Sequence, residues 1–202
     1  YARLRQATPW AEEGFVVARE QFILKPEEFW FGASEGNAKP QEAAGNMVFP
    51  IRNGSVTIDP TGALTSWIVD GQQMLQAPLE PYFWKPENDN QHAAHFAERT
   101  AAWRDAAKNR TVKSVRVEGN QVIADLTLPV GADLTLTYTV KTDGRIMVDM
   151  DYHPTATDIP LIPKFGMRMR LPADMTHIAY YGRGPWENYP DRKRSAFIGR
   201  YE

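Results

Sequence analysis

The most regular alternation of apolar and polar residues lies at positions 122–140, which read VIADLTLPVGADLTLTYTV. Apolar residues at every second position are typical of a β-strand with one buried face. The pattern occurs twice, at 122–128 and 134–140, and Val130-Gly131-Ala132 separates the two runs with residues that tolerate turn geometry. This stretch therefore predicts two half-buried antiparallel strands joined by a turn.

The same signal continues on both sides of this stretch and predicts an all-β chain. Turn residues recur between the strands, at 59–62, 70–71, 118–120 and 142–144. The further strands that we predict are 55–58, 64–69, 112–117, 145–152 and 164–171. One helix is predicted at 95–108, an alanine-rich segment in which apolar residues recur every three or four positions.

The composition describes a globular chain without a charge-driven partner. Of its 202 residues, 43% are hydrophobic and 24% are charged, which is enough apolar content for a substantial core. The 23 lysines and arginines against 25 aspartates and glutamates leave a net charge of −2, so we expect no general attraction to nucleic acid or to an anionic membrane. The absence of cysteine excludes disulfides and a cysteine nucleophile, and leaves both the cytoplasm and the periplasm open.

The densest cluster of conformationally special residues lies at 181–192, which read YGRGPWENYPDR. Glycines permit unusual backbone conformations, prolines fix φ, and aromatic rings offer apolar faces, so we expect a loop of specified shape. The segment closely resembles a Gly-Pro-x-Glu-Asn-Tyr-Pro-Asp-Arg signature in the C-terminal β-sandwich domain of family 2 β-galactosidases. The residues that carry this structural signature are Gly184, Pro185, Glu187, Asn188, Tyr189, Pro190, Asp191 and Arg192.

Two further places carry the same resemblance, in the order in which the family places them. Residues 8–22 look like the last strands of the immunoglobulin-like domain that precedes the family's final domain. Residues 82–90, YFWKPENDN, are similar to an aromatic, basic, Pro, Asp-Asn segment at the rim of the family's active site. The family pattern ends in Asp-Asn-Asp and a glycine, whereas here Asp89 and Asn90 are followed by QHA.

The resemblance covers essentially the whole chain and implies its fold and domain organisation. It implies a large antiparallel β-sandwich of the galactose-mutarotase-like supersandwich type, truncated at its C-terminus because the sequence ends shortly after the signature. We expect residues 1–25 to be the C-terminal strands of an immunoglobulin-like domain, 26–45 to be a linker, and 46–202 to be the N-terminal part of the sandwich. Because the chain starts at Tyr1 and not at methionine, we expect it to be a piece of a longer protein.

The resemblance also implies a role without catalysis. The family hydrolyses terminal β-D-galactosides with retention, using two glutamates on a TIM barrel, and no barrel fits in an all-β chain. We therefore expect an inactive isolated chain with no catalytic residue, which completes the active-site wall of a parent β-galactosidase and supports its assembly. The implied partners are the remaining domains of the parent, the galactoside, and further copies of the parent in a bacterial homo-oligomer. The parent is expected to use Mg²⁺ and a monovalent cation, with no cofactor in this chain.

The resemblance places four residues near the substrate, namely Trp84, Asp89, Asn90 and His92. An aromatic face beside polar groups suits a sugar, which stacks on the ring and hydrogen-bonds through its hydroxyls. The competing interpretation is a tryptophan packed in the core beside a polar turn. The spacing of His92 and His95 is also compatible with a metal site, but a third ligand is missing from the pattern and we expect two surface histidines.

Two other functions remain open from the sequence alone. An autonomous carbohydrate-binding module is favoured if Trp84, Trp103 or Trp186 is exposed on a concave sheet face. A mutarotase-like enzyme needs a histidine and a carboxylate that converge on a sugar, and none of the four histidines lies in a motif that requires this role. Glu187 and Asp191 form a further carboxylate pair, which we expect to make backbone hydrogen bonds or to pair with arginines and not to catalyse.

Overall fold

The computed structural model describes residues 1–22, 24, 36–189 and 191–202. The described residues fall into two units. The first, called here the terminal unit, consists of the described parts of 1–32 and 174–202, and the second, the central unit, consists of the described part of 33–173. No helix in the described part of the chain has the length and apolar character needed to cross a membrane.

Nearly all of the regular structure is extended. The strands among the described residues are β1 (Ala2–Arg3), β2 (Val16–Ala18), β3 (Gln41–Ala43), β4 (Asn46–Ile51), β5 (Gly54–Ile58), β6 (Leu64–Val69), β7 (Gln72–Gln73), β8 (Ala77–Tyr82), β9 (Thr111–Glu118), β10 (Gln121–Leu128), β11 (Ala132–Val140), β12 (Ile146–Pro154), β13 (Gly166–Arg170), β14 (Tyr180–Gly184) and β15 (Phe197–Tyr201). The helices are α1 (Asp89–Ala93), α2 (Phe96–Arg99) and a short 3₁₀ helix (Ala101–Trp103).

The stretch at 122–140 forms the centre of a four-stranded antiparallel sheet, in the order β12-β11-β10-β9. Each strand pairs with its neighbour in the sequence, and Gln121 of β10 lies opposite Thr139 of β11. The turn between these strands holds Gly131 at a φ of +84°, and a Cβ there would lie 2.6 Å from the Cβ of Ala156. A residue other than glycine would therefore strain this turn. The two predicted strands and their turn are confirmed.

A second sheet in the central unit follows the path β13-β8-β6-β5-β4-β3, with β7 paired to β6. All of these pairings are antiparallel. The strands predicted at 55–58, 64–69 and 164–171 correspond to β5, β6 and β13. The sequence pattern missed β4 and β8, which contain prolines, because proline is normally confined to strand ends, edges and bulges.

Both sheets of the central unit contribute to one apolar core. Phe49 and Val56 of the larger sheet and Leu134 and Tyr138 of the four-stranded sheet have no exposed surface, and all four belong to one cluster of contacting side chains. Two antiparallel sheets that share a core make a β-sandwich. The predicted all-β sandwich is confirmed. Truncation of one buried leucine to alanine typically lowers the free energy of unfolding by about 2 to 5 kcal/mol. The shared core is therefore a main source of the stability of the sandwich.

The single helix predicted at 95–108 is wrong in its extent. The structure has α2 and the 3₁₀ helix there, followed by turns. The Thr100 hydroxyl donates to the carbonyl of Phe96 at 2.7 Å, and the indole nitrogen of Trp103 donates to the carbonyl of Pro160 at 2.8 Å. Since Trp103 is fully buried, its anchoring in the core prevails over the helical propensity of the surrounding alanines.

The segment expected to be a linker, 26–45, is only partly described, since 26–35 lie outside the described residues. In the remainder, Ala38 is buried in the core and β3 pairs with β4. Ala38 and β3, which lie before residue 46, therefore belong to the sandwich. The predicted domain boundaries at 25 and 45 stay predictions.

The terminal unit contains two small antiparallel sheets, β1 with β2 and β14 with β15. One glutamine joins its two chain segments. The side-chain amide of Gln21 donates to the carbonyl of Ile198 at 2.8 Å, and its amide oxygen accepts from the N–H of Ile198 at 2.7 Å. The two bonds satisfy backbone groups on the outer side of β15, as a paired strand would.

Replacement of Tyr138 by phenylalanine should preserve stability at neutral pH and increase it at alkaline pH. The hydroxyl is buried without a hydrogen bond of normal geometry to the described residues, and burial raises the pKa of Tyr138 to about 12 although the Leu64 backbone acts to lower it. Between pH 10 and 12 the unfolded chain loses this proton before the folded chain does, which destabilises the wild type by up to about 3 kcal/mol. Denaturant unfolding of both proteins at pH 7 and pH 11.5 measures the difference.

The control for this prediction is Tyr1→Phe, because the side chain of Tyr1 is exposed. Equal losses of stability in wild type, Tyr138→Phe and Tyr1→Phe between the two pH values would contradict the account of Tyr138.

Candidate functional site

The segment 82–90 leaves the end of β8 and is fixed by one buried phenylalanine. Phe83 is 1% exposed, and its ring centroid lies 5.3 Å from that of Trp103 and 5.8 Å from that of Phe165. Such aromatic pairs add stabilisation beyond the area that they bury. The backbone on either side of Phe83 is therefore held against the core, and the following residues project from a fixed point.

Trp84 is half-buried and packs against the core, with the guanidinium carbon of Arg104 4.7 Å from its ring centroid. A guanidinium at this distance makes a cation–π interaction. Tyr82 is covered in the same way by Arg168, at 4.6 Å. Arg104 covers one face of Trp84. A sugar could stack on that face only after Arg104 had moved away.

A pocket of about 370 Å³ lies beside these two aromatic rings. Its lining combines aromatic, cationic and acidic side chains, and Glu80 accepts a hydrogen bond from the Nε of Arg168 at 2.7 Å. This volume lies in the range of small-ligand pockets. The residues that line it are Glu80, Pro81, Tyr82, Phe83, Trp84, Arg104, Asp105, Ala107, Lys108 and Arg168.

Asp89 and Asn90 occupy the first turn of α1, and both are exposed. Asn88 caps this helix: its side-chain oxygen accepts from the N–H of Gln91 at 2.9 Å, while the Gln91 side chain accepts from the N–H of Asn88 at 3.2 Å. This reciprocal capping box stabilises the helix start. The side chains of Asp89 and Asn90 make no hydrogen bond or ion pair with the described residues.

Glu87 connects α1 to α2. Its carboxylate accepts a hydrogen bond from the backbone N–H of Ala97 and pairs with Nδ1 of His92 at 3.3 Å. The Ala97 N–H lowers the pKa of Glu87, and His92 lowers it further. The sequence analysis did not single out Glu87, although the Asn88-x-x-Gln91 capping pattern beside it is readable in the sequence.

The histidine pair does not converge on one site. His95 pairs with Glu98 at 3.2 Å, whereas His92 pairs with Glu87. Within residues 1–22, 24, 36–189 and 191–202, no group of three or more histidine, cysteine, aspartate or glutamate residues is arranged to hold a metal ion. The ions of the parent stay a prediction.

The signature segment lies in the terminal unit, and the prediction of a loop is wrong for residues 181–184, which belong to β14. Gly184 is buried, and a Cβ there would lie 2.1 Å from the Tyr180 hydroxyl oxygen and 3.0 Å from the Tyr201 ring. A larger residue at this position would have to displace the Tyr180 side chain. Arg183 donates to two carbonyl groups at the far end of the loop, at 3.1 and 3.0 Å.

The remaining signature residues follow β14 in the loop. Glu187 forms an ion pair with Arg192, one of the arginine pairings that the sequence predicts. Asn188 and Asp191 are exposed. Pro185 follows Gly184 through a cis peptide bond. Pro190 lies outside the described residues.

The comparisons with known proteins agree on one class. Residues 52–202 match the family model described as beta galactosidase small chain. The chain is 34% identical to a beta-galactosidase of Lactobacillus delbrueckii subsp. bulgaricus over 209 residues, which is 100% of this chain and 20% of that protein. It is 30% identical to a beta-galactosidase of Priestia megaterium and 29% identical to one of Vibrio cholerae, across 99% and 98% of this chain respectively. The chain spans about a fifth of the length of these relatives.

Replacement of Glu87 by alanine should expose the N–H of Ala97 to exchange with solvent, because the carboxylate is its hydrogen-bond acceptor. In the wild type, protection of this amide should fall as the pH falls through the lowered pKa of Glu87, since protonation weakens the acceptor. Hydrogen exchange followed by NMR measures both effects. Glu98→Ala is the matched control, and equal exchange of the Ala97 amide in the two variants would refute the assignment.

Proposed function

Because this chain belongs to the β-galactosidase small-chain family, we propose that it is the non-catalytic C-terminal β-sandwich module of a β-galactosidase. The hydrolysis of terminal β-D-galactosides, with retention, is then carried out by carboxyl groups elsewhere in the parent. This chain completes the wall of the active site and supports assembly of the enzyme.

One observation supports the proposal that the chain supplies no general acid. Every carboxyl group of the described residues whose pKa departs from its ordinary range has it lowered, namely Glu87, Asp125, Asp133 and Asp143. At Asp125 burial acts to raise the pKa, but hydrogen bonds from Ser114 and Thr135 and the nearby Arg116 outweigh it. A general acid of a glycosidase needs a raised pKa, so these groups are tuned in the opposite direction.

The architecture supports the same conclusion. The sheets of the described residues are antiparallel, whereas the barrel that carries the family's two glutamates is made of eight parallel strands and typically about 250 residues. A retaining mechanism needs two carboxyl groups about 5 to 5.5 Å apart. We infer that these carboxyl groups belong to the part of the parent that this chain does not span.

The segment 82–92 is the part of the chain that we propose faces the galactoside. Phe83 anchors it, the capping box orders α1, and Asp89 and Asn90 then present polar groups without partners among the described residues. Ordered polar groups suit the recognition of sugar hydroxyls, because less conformational entropy is lost on binding. In this role Trp84 supports the segment through Arg104, and His92 does so through Glu87.

Exposed strand surface supports a role in assembly. β9 is an edge strand of the four-stranded sheet, and seven of its eight residues are exposed. Val112 and Val117 are 42% and 43% exposed on it. An edge strand with unpaired backbone groups and apolar side chains is suited to contact another protein surface. We propose that the remaining domains of the parent, or a second copy of it, cover this edge.

The isolated 202-residue chain should not hydrolyse a chromogenic β-galactoside, because both reacting carboxyl groups are absent from it. The assay compares purified chain with buffer and with an equal amount of an active β-galactosidase. Turnover that survives rigorous purification and disappears after one substitution in this chain would refute the proposal.

Asp89→Ala in the intact parent should weaken substrate or transition-state binding by about 1 to 3 kcal/mol, or roughly 5-fold to 150-fold in kcat/KM, as a sugar hydroxyl loses its partner. Steady-state kinetics with a β-galactoside measures this loss. Asp151→Ala, at an exposed aspartate of β12, is the matched control and should leave kcat/KM unchanged.

Two outcomes would count against this placement of Asp89. A fall of several powers of ten in kcat with unchanged folding would show a direct catalytic role. No change in either kinetic constant would place the segment away from the galactoside.

A further inference from the structure

The loop between β14 and β15 exposes two aromatic rings that the proposed function does not use. Trp186 is 66% exposed and Tyr189 is 51% exposed. They flank a depression of about 340 Å³ whose lining includes residues 186–189. Exposed aromatic rings gain free energy when an apolar surface covers them.

Contacts at the base of the loop hold its shape. Buried Gly184 lets the chain pass against the rings of Tyr180 and Tyr201, whose centroids are 5.3 Å apart. Arg183 donates to the carbonyls of Lys193 and Ala196 and so ties the entry of the loop to its exit. A binding surface that is already ordered loses little conformational entropy when a ligand arrives.

Further bonds order the loop near the two rings. The N–H of Arg192 donates to the carbonyl of Tyr189 at 2.8 Å, and the N–H of Ser195 donates to the carbonyl of Arg192 at 3.0 Å. The side chain of Arg192 also pairs with Glu187, whose carboxylate side chain is 47% exposed. The exposed rings therefore belong to a loop with defined turns.

The polar groups beside the rings indicate the chemical class of the ligand. Asn188 offers an amide that both donates and accepts hydrogen bonds, and the carboxylate of Glu187 accepts them. Because Arg192 neutralises Glu187, the depression has no unbalanced charge to attract an ionic ligand. An apolar ring face next to neutral donors and acceptors is complementary to a pyranose, which has a face of C–H groups and a rim of hydroxyls.

Trp186 differs in this respect from other tryptophans that the structure describes. Trp103 is fully buried, and Arg104 covers a face of Trp84. Trp10 is exposed to the same extent as Trp186, at 66%, but its ring packs edge-on against Phe15 with centroids 5.6 Å apart. Trp186 combines high exposure with lining a depression that also contains polar side chains.

We propose that Trp186 and Tyr189, with Asn188 and Glu187, form a binding site for one pyranose ring of a neutral saccharide. The ring stacks on the indole of Trp186, and its hydroxyls hydrogen-bond to Asn188 and to the carboxylate of Glu187. This site is formed by the signature loop and does not involve the segment 82–92.

The test uses the 202-residue chain and two probes, methyl β-D-galactopyranoside and methyl β-D-glucopyranoside. Saturation-transfer NMR should show transfer to the C–H protons of a probe, and the indole N–H signal of Trp186 should shift on titration, with a dissociation constant in the millimolar range. Trp186→Ala should weaken binding at least tenfold, and Trp186→Phe should retain part of it. Trp10→Ala is the matched control and should bind as the wild type does.

Three results would overturn this proposal. The first is the absence of saturation transfer and of any shift of the Trp186 indole signal in the wild type, with both probes at about 50 mM. The second is equal loss of binding in Trp186→Ala and Trp10→Ala. The third is a combination of two observations: the wild-type chain binds neither probe, and the Trp186→Ala chain associates more weakly than the wild-type chain with the remaining domains of the parent. That result would make the loop a contact between protein domains. The indole shift is read on the wild type, so it stands even if a variant fails to fold.

Discussion

The pairing of Phe83 with Trp103 is the interaction on which the candidate site depends. Both side chains are buried in the core shared by the two sheets, and their ring centroids are 5.3 Å apart. Phe83 fixes the segment that follows β8, while Trp103 fixes the end of the short helices that follow it. The exposed turn at Asp89 and Asn90 lies between these two anchors. Loss of either ring would leave a cavity and free the segment.

Structural support and the proposed recognition of the galactoside use different residues of this segment. Lys85, Asn88 and Gln91 order α1, with a hydrogen bond of 2.5 Å from the ammonium of Lys85 to the side-chain oxygen of Gln91. Glu87 is used in the same way, as an acceptor for a backbone N–H. That bond lowers the pKa of Glu87, and a carboxyl group with a lowered pKa is a poor proton donor at neutral pH. In the proposed role, the chain contributes shape and polar contacts to the parent, and Lys85 and Glu87 hold that shape.

The sequence predicts the four-stranded sheet well, because its strands alternate regularly and are separated by turns that contain glycine or aspartate. It predicts β4 and β8 poorly, because Pro50, Pro78 and Pro81 interrupt them with residues that cannot donate to a ladder. The helix at 95–108 fails for a tertiary reason, since the burial of Trp103 is a contact that local propensity does not contain.

The site was foreseen only in part. The resemblance predicts Trp84, Asp89, Asn90 and His92 near the substrate, and that role stays a prediction because these residues are already neighbours in the sequence. No local pattern places Arg104 over Trp84, because that contact joins residues twenty positions apart through the fold. The exposure of Trp186 is likewise a property of the folded loop. Its sequence shows a dense cluster of glycine, proline and aromatic residues but not which rings face outward.

In the proposed function, this chain contributes structure and substrate contacts, but no acid or base, to galactoside hydrolysis by its parent. The most direct test adds the purified chain to a parent β-galactosidase from which the corresponding part has been deleted, and records the pH dependence of kcat. We expect the chain to restore hydrolysis. The pH profile of kcat with a Glu87→Gln chain should have its acidic limb and its alkaline limb at the same pH values as the profile with the wild-type chain. A limb that shifts or disappears with Glu87→Gln, while the chain remains bound, would contradict it.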